Sequence, residues 1–243
     1  MGTLPVYESS DLRAVTGPTI RPGGLTLTER ALELCGLPEE AIVLDVGCGV
    51  GATVEFLCRE KHLKVFGVDT SSLLLKEGIE RRADLALLQG AAESLPFHNR
   101  SFNALFCECV LSLLTDPVSA LKEFARVLSR EGFLILSDVY ARVPDEASSL
   151  PHLPVRCCIK GAVGISQIIA WVKQSGFTAV IWEDHSTLLK QLAAQLIFSF
   201  GSLNAFWATA CSEEHPDAIE ATVNRARPGY YLLIARRNER DHG

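Results

Sequence analysis

Several absences narrow what this sequence can encode. No apolar stretch reaches the roughly 18 residues that a membrane-spanning helix needs, and the opening MGTLPVYESS lacks the basic and apolar regions of a secretory signal. Basic residues form no long run and the net charge is -6, which disfavours nucleic acid because phosphate binding needs clustered positive charge. We therefore expect a soluble cytoplasmic protein, monomeric or homodimeric, that has no membrane or nucleic-acid partner.

The lack of a secretory signal also affects the interpretation of the cysteines. The 243 residues include eight cysteines, a number that would suggest a disulfide framework in a small secreted domain. In this context free thiols, metal ligands or reactive groups are the better interpretation. Apolar residues make up 48% of the chain, which is enough for a packed core and argues against disorder.

Strand and helix patterns alternate through most of the chain. Short apolar runs predict seven strands, at residues 42–46, 64–68, 85–88, 104–107, 133–137, 177–182 and 230–235. Helical spacing lies between them, and Asp116-Pro117 gives one helix an N-cap followed by proline at its first position. This alternation predicts an α/β fold, a Rossmann-like, doubly wound and mostly parallel sheet.

Two further segments flank this core. Thr26 and Glu29 match a capping box, which predicts an N-terminal helix running to about Cys35. Before the last strand, the long connection carries an amphipathic stripe that indicates a helical insertion. We predict one domain over residues 1–243, divided into an N-terminal cap segment (1–36), a cofactor-binding core (37–185), the helical insertion (186–227) and the last strand (228–243).

The stretch VLDVGCGVGATVEFL is a strand, a tight turn and the start of a helix. Glycine at positions 47, 49 and 51 permits positive φ and a close backbone approach, and the free N–H groups at a helix start favour an anionic ligand group. Asp69 follows the second strand, where a carboxylate can accept both hydroxyls of a ribose. These features predict a nucleotide-containing ligand at the carboxyl ends of the strands.

Asp45 distinguishes between two kinds of nucleotide ligand. The glycine pattern also fits a dinucleotide fingerprint, so an NAD-dependent oxidoreductase is one alternative. However, a carboxylate two residues before the first glycine disfavours a pyrophosphate and suits the ammonium group of an amino-acid-bearing cofactor. A non-catalytic, thiol-based protein that binds a metal or metalloid is a second alternative, because cysteines are frequent near the strand ends.

The ordered motifs DVGCGVG, VFGVDTSS and GAAESLPFHNRSFNALFCECVLSLLTDP together resemble a class I S-adenosylmethionine-dependent methyltransferase. RVLSREGFLILSDVYA and CCIKGAVGISQIIAWVKQSGF are most similar to the arsenite methyltransferase branch, followed by the ubiquinone-biosynthesis type. The resemblance implies that S-adenosylmethionine is the cofactor, that the last strand is antiparallel, and that a methyl group passes by in-line displacement to a small-molecule acceptor. A thiol or a metalloid such as arsenite is a possible acceptor.

The resemblance also implies which residues contact the cofactor. We assign the following residues to the cofactor site: Arg21, Asp45, Gly47, Cys48, Gly49, Asp69, Thr70, Ala91, Ala92 and Cys107. Asp69 is expected at the ribose, with Thr70 beside the adenine. One departure from the family pattern is Ala91, where relatives usually carry an acid that accepts from the adenine amino group, so adenine recognition must use backbone groups or another residue.

Candidates for the acceptor side follow the later strands. Cys157 and Cys158 lie where arsenite methyltransferases carry a substrate cysteine, and thiolates suit a soft acceptor. Glu108, Asp138 and Tyr140 are further catalytic candidates because each lies at a strand end. Ordinary packing is the alternative for the cysteines.

The helical insertion has two possible roles. Together with residues 21–24 it can form a lid over the site, and helix packing or dimerisation is the alternative. Tyr7, Phe206 and Trp207 are aromatic side chains that can favour the cofactor's sulfonium by a cation–π contact. No metal site is predicted.

Overall fold

The computed structural model describes residues 6–8, 10–210 and 216–238. The helices and strands of this part of the chain are α1 Ser10–Thr16, α2 Thr26–Cys35, β1 Ile42–Val46, α3 Ala52–Arg59, β2 Lys64–Asp69, α4 Ser72–Arg81, β3 Leu87–Gln89, β4 Phe102–Glu108, α5 Pro117–Val127, β5 Leu128–Ala141, α6 Ile165–Gln174, β6 Phe177–Asp184, α7 Ser186–Phe200, α8 Leu203–Ala210, α9 Pro216–Ala226 and β7 Pro228–Arg237. Short 3-10 helices cover Val6–Glu8, Leu111–Leu113 and Cys158–Gly161.

The sheet confirms the predicted fold class. Within the described residues it has seven strands in the order β3-β2-β1-β4-β5-β7-β6. Strands β1 to β5 pair in parallel, and β7 lies antiparallel between β5 and β6. Buried apolar side chains form one core on each face of this sheet, so the central strands are apolar on both sides, as parallel strands covered by helices require.

The local signals predicted some element ends and not others. Asp116 caps α5, because its carboxylate accepts from the Ser119 N–H at 3.0 Å. The capping box at Thr26 is wrong: α2 begins after Leu25, which makes no side-chain cap, and Thr26 donates its N–H to the Gly23 carbonyl. The turn before α2 therefore satisfies this amide, and Thr26 lies inside the helix.

The third strand also begins later than predicted. Leu85 is buried, but its N–H donates to Arg82 in a turn, and pairing with β2 starts only at Leu87. Leu85 therefore packs in the core but does not pair with the sheet. Cys211, in the predicted insertion, lies outside the described residues.

The connection before β7 contains α7, α8 and α9. Its helices pack on one face of the sheet, where Leu196, Phe206 and Trp207 are buried in the core. Gly23 meets α7 directly, since a Cβ placed on it would lie 2.7 Å from Cδ1 of Leu188. In the described part of the chain, no helix combines the length and apolarity needed to cross a bilayer.

The strand order determines where a ligand binds. The chain runs outward from β1 through β2 to β3, then returns to place β4 on the other side of β1. Ligands of such sheets bind in the crevice at the carboxyl ends of the strands where the order reverses. In this fold that crevice lies between the loop after β1 and the loop after β4.

Candidate active site

A cavity of about 950 Å³ occupies this crevice. Its walls include the loop after β1, the ends of β2 and β4, and the segments at residues 18–21 and 156–161. The volume is at the upper end of the range for small-molecule sites. It has room for a nucleoside-containing cofactor and a small second ligand.

The glycine loop forms one wall. Gly47, Gly49 and Gly51 have φ of 79°, 53° and 76°, which is the left-handed region that glycine adopts without strain. Position 47 also has no room for a side chain, because a Cβ there would lie 2.1 Å from Cγ2 of Val110 in the loop after β4. The two loops therefore touch, and the glycine lets the backbone reach the ligand.

Asp69, the last residue of β2, contacts the glycine loop through its carboxylate. One carboxylate oxygen accepts the Gly49 N–H at 2.8 Å and the other accepts the Ser71 N–H at 2.8 Å. Each oxygen retains a second lone pair. The carboxylate is thus oriented at the cavity wall and can still accept from a ligand's hydroxyl groups.

A buried network of charges lies under the loop. Arg21 and Glu108 form an ion pair at 3.0 Å although their side chains are only 8% and 2% exposed. Thr28 donates to Glu108 at 3.1 Å, and Arg21 donates to Thr28 and to Thr53. Every charge in this network has a partner, which is the condition under which buried charges are tolerated.

Asp45 is the third charged side chain of this region and is 3% exposed. Burial, reinforced by the negative charges of Glu108 and Asp69, raises its pKa to about 8, while Arg21 opposes the shift. Asp45 therefore holds a proton near neutral pH until a cation enters. A ligand's ammonium group is a cation of the right kind.

Cys109 and Cys157 line another part of the cavity, and Cys158 adjoins Cys157 in the chain. Cys109 follows β4 with a φ of 57°, an uncommon conformation for a residue other than glycine, and its Sγ lies 3.2 Å from the Tyr230 hydroxyl. The Cys158 thiol is near enough to raise the pKa of the Cys109 thiol, an effect to which burial adds. Cys157 lines the cavity beside them, and burial raises the pKa of its thiol to about 12.

Tyr7 covers these thiols from the N-terminal side. The Cys158 N–H donates to the Tyr7 hydroxyl, and the ring lines the cavity. The following residue, Glu8, accepts from Ser71 at 2.9 Å beside Asp69. The segment Val6–Glu8 therefore bridges the two ends of the cavity.

The structure brings most of the predicted site residues to this cavity. Those that line it are Arg21, Asp45, Gly47, Cys48, Gly49, Asp69, Thr70, Ala92, Glu108 and Cys157. Cys158 lies just behind, where its N–H donates to the Tyr7 hydroxyl and its thiol is near that of Cys109. Gly90, Ala92 and Glu93 also line the cavity, whereas Ala91, which the resemblance places at the adenine, does not.

Three more predicted residues do not line the cavity. Tyr140 donates to Asp184 and packs edge-on against Trp182, away from the cavity. Cys107 is fully buried in the core on the face opposite the cysteine cluster. Asp138 points beneath the loop after β4, where it accepts from the N–H and hydroxyl of Ser112 at 2.9 and 2.7 Å. Burial raises the pKa of Asp138 to about 6.

The structure also limits which of the predicted aromatic side chains can contact a sulfonium. Phe206 and Trp207 are buried in the core among the insertion helices and do not line the cavity. Only Tyr7 of the three predicted aromatics lines it. Sequence reasoning did not assign a role to Cys109, Arg156 or Lys160, although RCCIK places basic residues on both sides of the cysteine pair.

Comparison with known proteins agrees with this geometry. A family model described as a methyltransferase domain matches residues 44–136. The demethylmenaquinone methyltransferase of Thermotoga maritima is 33% identical over 112 residues, 46% of this chain and 49% of that protein. An uncharacterized methyltransferase of Bacillus subtilis is 35% identical over 120 residues, 47% and 50% of the two chains. The chain spans about half the length of the curated relatives it matches.

Solved structures share the fold. A putative sarcosine dimethylglycine methyltransferase from Galdieria sulphuraria has a TM-score of 0.74 at 17% identity, covering 91% of this chain and 88% of that one. Haemonchus contortus phosphoethanolamine N-methyltransferase 2, solved with S-adenosyl-L-methionine, has a TM-score of 0.72 at 17% identity, covering 95% and 56%.

The cavity fits that cofactor. Asp69 can accept from a ribose, the glycine loop allows close backbone approach, and Asp45 provides a buried carboxylate for an amino-acid ammonium group. These residues belong to the segment that the family model matches. Residues 44–136 therefore match a methyltransferase domain similar to that of the ubiquinone-biosynthesis type, and the cavity fits S-adenosylmethionine as its cofactor.

Proposed function

We propose that this protein transfers a methyl group from S-adenosylmethionine to a small, soft acceptor, a thiol or a trivalent metalloid such as arsenite, held at Cys109, Cys157 and Cys158. The observation that carries this proposal is that Cys109 and Cys157 line the same cavity as Asp69, with Cys158 near Cys109. Soft acceptors prefer sulfur ligands. Cys109 and Cys157 offer sulfur ligands to an acceptor in the cavity, and Cys158 is next to Cys157 in the chain.

The cofactor supplies a sulfonium methyl group, to whose carbon the acceptor's lone pair bonds while the S–C electron pair stays on the departing S-adenosylhomocysteine. The protein's contribution is alignment and exclusion of water. Asp45 and Asp69 hold the two ends of the cofactor, and Tyr7 covers the acceptor thiols. Thiols kept protonated by burial must release protons when they bind a metalloid.

We also propose that residues 1–243 work as the single domain predicted above, with residues 186–227 and the segment at 21–24 covering the site. The contact of Gly23 with Leu188 supports this role, because it joins the loop that carries Arg21 to the insertion. The loop contacts the cofactor cavity through Arg21 itself.

A second candidate acceptor is an aromatic quinol ring. The observation that favours it is the set of relatives named for demethylmenaquinone and ubiquinone/menaquinone methylation, at 33% and 29% identity. A neutral ring would not need three thiols. The cysteine cluster therefore favours the soft acceptor.

The test is transfer from methyl-labelled cofactor to arsenite, 2-mercaptoethanol and a demethylated naphthoquinol. We expect transfer to arsenite or the thiol by wild type, and a loss of at least about 100-fold in a Cys109→Ser/Cys157→Ser/Cys158→Ser variant, because the thiols hold the acceptor. Cofactor affinity, measured by calorimetry, should be unchanged. Cys58→Ser, in helix α3 away from the cavity, is the matched control.

Equal rates of transfer to arsenite or the thiol in wild type and the triple variant would assign the cysteines to packing. Transfer confined to the naphthoquinol would replace the soft acceptor by the second candidate. Binding of NADH with none of S-adenosylmethionine would overturn the methyltransferase itself.

Cofactor binding should also depend on pH through Asp45. The ammonium group of the cofactor pairs with the ionised carboxylate, but a pKa of about 8 keeps Asp45 protonated at lower pH. Affinity should therefore rise with pH up to about 8, by roughly 10- to 50-fold between pH 6 and 8. Calorimetry across this range should show the rise in wild type.

Asp45→Asn is the control for this pH dependence, because the cofactor's own amino group titrates equally in both proteins. The ratio of wild-type to variant affinity should grow with pH and then level off. A constant ratio would show that Asp45 is already ionised. Relative to wild type, the unliganded variant should gain stability as pH rises from about 4 to about 8 and keep that gain above pH 8, since a carboxyl whose folded pKa is raised costs stability over the range between its unfolded and folded pKa values.

A further inference from the structure

The acceptor end of the cavity carries two cations that the proposed function does not use. Arg156 and Lys160 both line the cavity and flank the pair Cys157 and Cys158 in the chain. Within the described residues, neither side chain has a hydrogen bond or an ion pair with a carboxylate. Most other arginines of the fold are paired, among them Arg21 with Glu108. Arg156 is exposed and Lys160 is half-buried, so a ligand that enters this part of the cavity meets both charges.

Both cations are anchored close to the thiols by the backbone. The Lys160 N–H donates to the Cys157 carbonyl at 3.2 Å, and the Arg156 carbonyl accepts from Val6 at 3.2 Å. Lys160 is near enough to Cys157 for its charge to oppose the effect of burial on the pKa of that thiol. A group bound between the two cations would therefore lie beside the cysteines.

In the part of the chain that the structure describes, the acidic side chains of the cavity do not pair with Arg156 or Lys160, and Glu108, next to Cys109 in the chain, is paired with Arg21. The carboxylates that line the cavity are those of Glu8, Asp45, Asp69, Glu93 and Glu108. Three of them are held on the cofactor side by hydrogen bonds or an ion pair, with Ser71, with Gly49 and with Arg21. Glu93 follows Ala92 in the chain. The two cations beside Cys157 are therefore not neutralised by these carboxyl groups.

We propose that Arg156 and Lys160 bind an anionic group, a carboxylate or a phosphate, carried by the methyl acceptor. This proposal rests on the proposed function in taking the cysteine end of the cavity as the acceptor end. Guanidinium groups bind carboxylate and phosphate in a two-pronged geometry, and a second cation adds to the attraction. In a chain whose net charge is -6, these two side chains give this end of the cavity a local positive field that concentrates anions.

The test compares alkylation of the cavity cysteines by iodoacetate and iodoacetamide, which are similar in size but differ in charge. Rates at Cys109, Cys157 and Cys158 are followed by peptide mass spectrometry in wild type and in Arg156→Gln/Lys160→Gln. We expect the iodoacetate-to-iodoacetamide ratio to fall by roughly 3- to 10-fold in the double variant. Lys173→Gln, on the exposed side of α6, should leave the ratio unchanged. An equal ratio in wild type and double variant would overturn the proposal.

A second measurement covers the case in which the thiols resist both reagents. Calorimetry with S-adenosylhomocysteine present compares mercaptoacetate with 2-mercaptoethanol, which differ mainly by the carboxylate. We expect mercaptoacetate to bind wild type more tightly than 2-mercaptoethanol does. In the double variant, mercaptoacetate should lose at least about fivefold in affinity, and the affinity for 2-mercaptoethanol should be unchanged. Equal binding of the two thiols to wild type would contradict an anionic acceptor.

Protection by anions identifies the bound group, and the labelling ratio distinguishes failure of this proposal from failure of the proposed function. Protection from iodoacetate by inorganic phosphate at lower concentration than by acetate would identify a phosphate group, and the reverse order a carboxylate. The labelling ratio needs no methyl transfer, so it stays readable if no acceptor is methylated and the proposed function fails. An unchanged ratio in an enzyme that methylates a neutral thiol would overturn only the anion site.

Discussion

Replacing Gly47 by alanine should abolish detectable cofactor binding and lower the free energy of unfolding by about 2–5 kcal/mol. Its φ of 79° strains any residue with a Cβ, and that Cβ would lie 2.1 Å from Cγ2 of Val110. Rotating Val110 gives no relief, because its Cβ and Cγ1 also lie within 3.2 Å of the added atom. The loops after β1 and β4 must therefore separate, which opens the cofactor wall. Urea unfolding and calorimetry measure the two effects.

Gly49→Ala separates the strain from the clash. Gly49 has a φ of 53°, but its added Cβ would meet only Cδ1 of Leu74, at 3.9 Å. This variant should lose about 1–2 kcal/mol of stability from backbone strain alone. A double variant, Gly47→Ala/Val110→Ala, removes the side chain that clashes and should recover part of the loss. If Gly47→Ala and Gly49→Ala are equally stable, the contact between the loops does not limit the substitution.

The cofactor half of the site was predictable because its signals are local in sequence. A strand, three glycines and a helix start lie within a few residues of Asp45, and Asp69 follows the next strand directly. Parallel topology then brings these loops together without any further information. The seven-stranded sheet with its antiparallel last strand was predictable for the same reason, from alternating patterns and a family resemblance.

The direction of side chains along the central strands was not predictable. Alternation reveals an inner face only when the other face meets water, and β4 and β5 are buried on both sides. Tyr140 and Cys107 were therefore predicted for the site although the structure turns them away from it. Asp138 reaches the right region but supports a loop there.

Contacts between segments that are distant in the chain could not be predicted from the sequence either. Arg21 meets Glu108, and Cys109 meets Cys158, only after the N-terminal segment and the connection after β5 fold over the strand ends. No periodicity or spacing encodes such a meeting. The surplus of positive charge around Cys157 is visible in RCCIK, but its significance needs the structure, which shows both cations without carboxylate partners in the described part of the chain.

The substitution Gly161→Ala should impair the acceptor end of the site and leave cofactor binding nearly unchanged. Its Cβ would lie 1.9 Å from the carbonyl oxygen of Ser112 and 2.8 Å from the carbonyl carbon, so the clash is with backbone and no rotamer relieves it. Ser112 cannot yield, since its N–H and hydroxyl are both bonded to buried Asp138. The segment Cys158–Gly161 must therefore move, and it carries Cys158 and Lys160 with it.

We expect Gly161→Ala to reduce methyl transfer by at least about 100-fold, because a displacement of about 1 Å is enough to misalign the acceptor. Stability should fall by about 1–3 kcal/mol, the usual range for overpacking. Cofactor affinity should stay within about threefold of wild type, since Gly161 is remote in the chain from the glycine loop and Asp69, which keep their contacts with each other. Gly176→Ala, with a φ of 90° and open space around its Cβ, is the control that adds strain without a clash. Equal loss of cofactor affinity and transfer in Gly161→Ala would show that the two ends are not independent, and wild-type transfer would show that the Cys158–Gly161 segment does not position the acceptor.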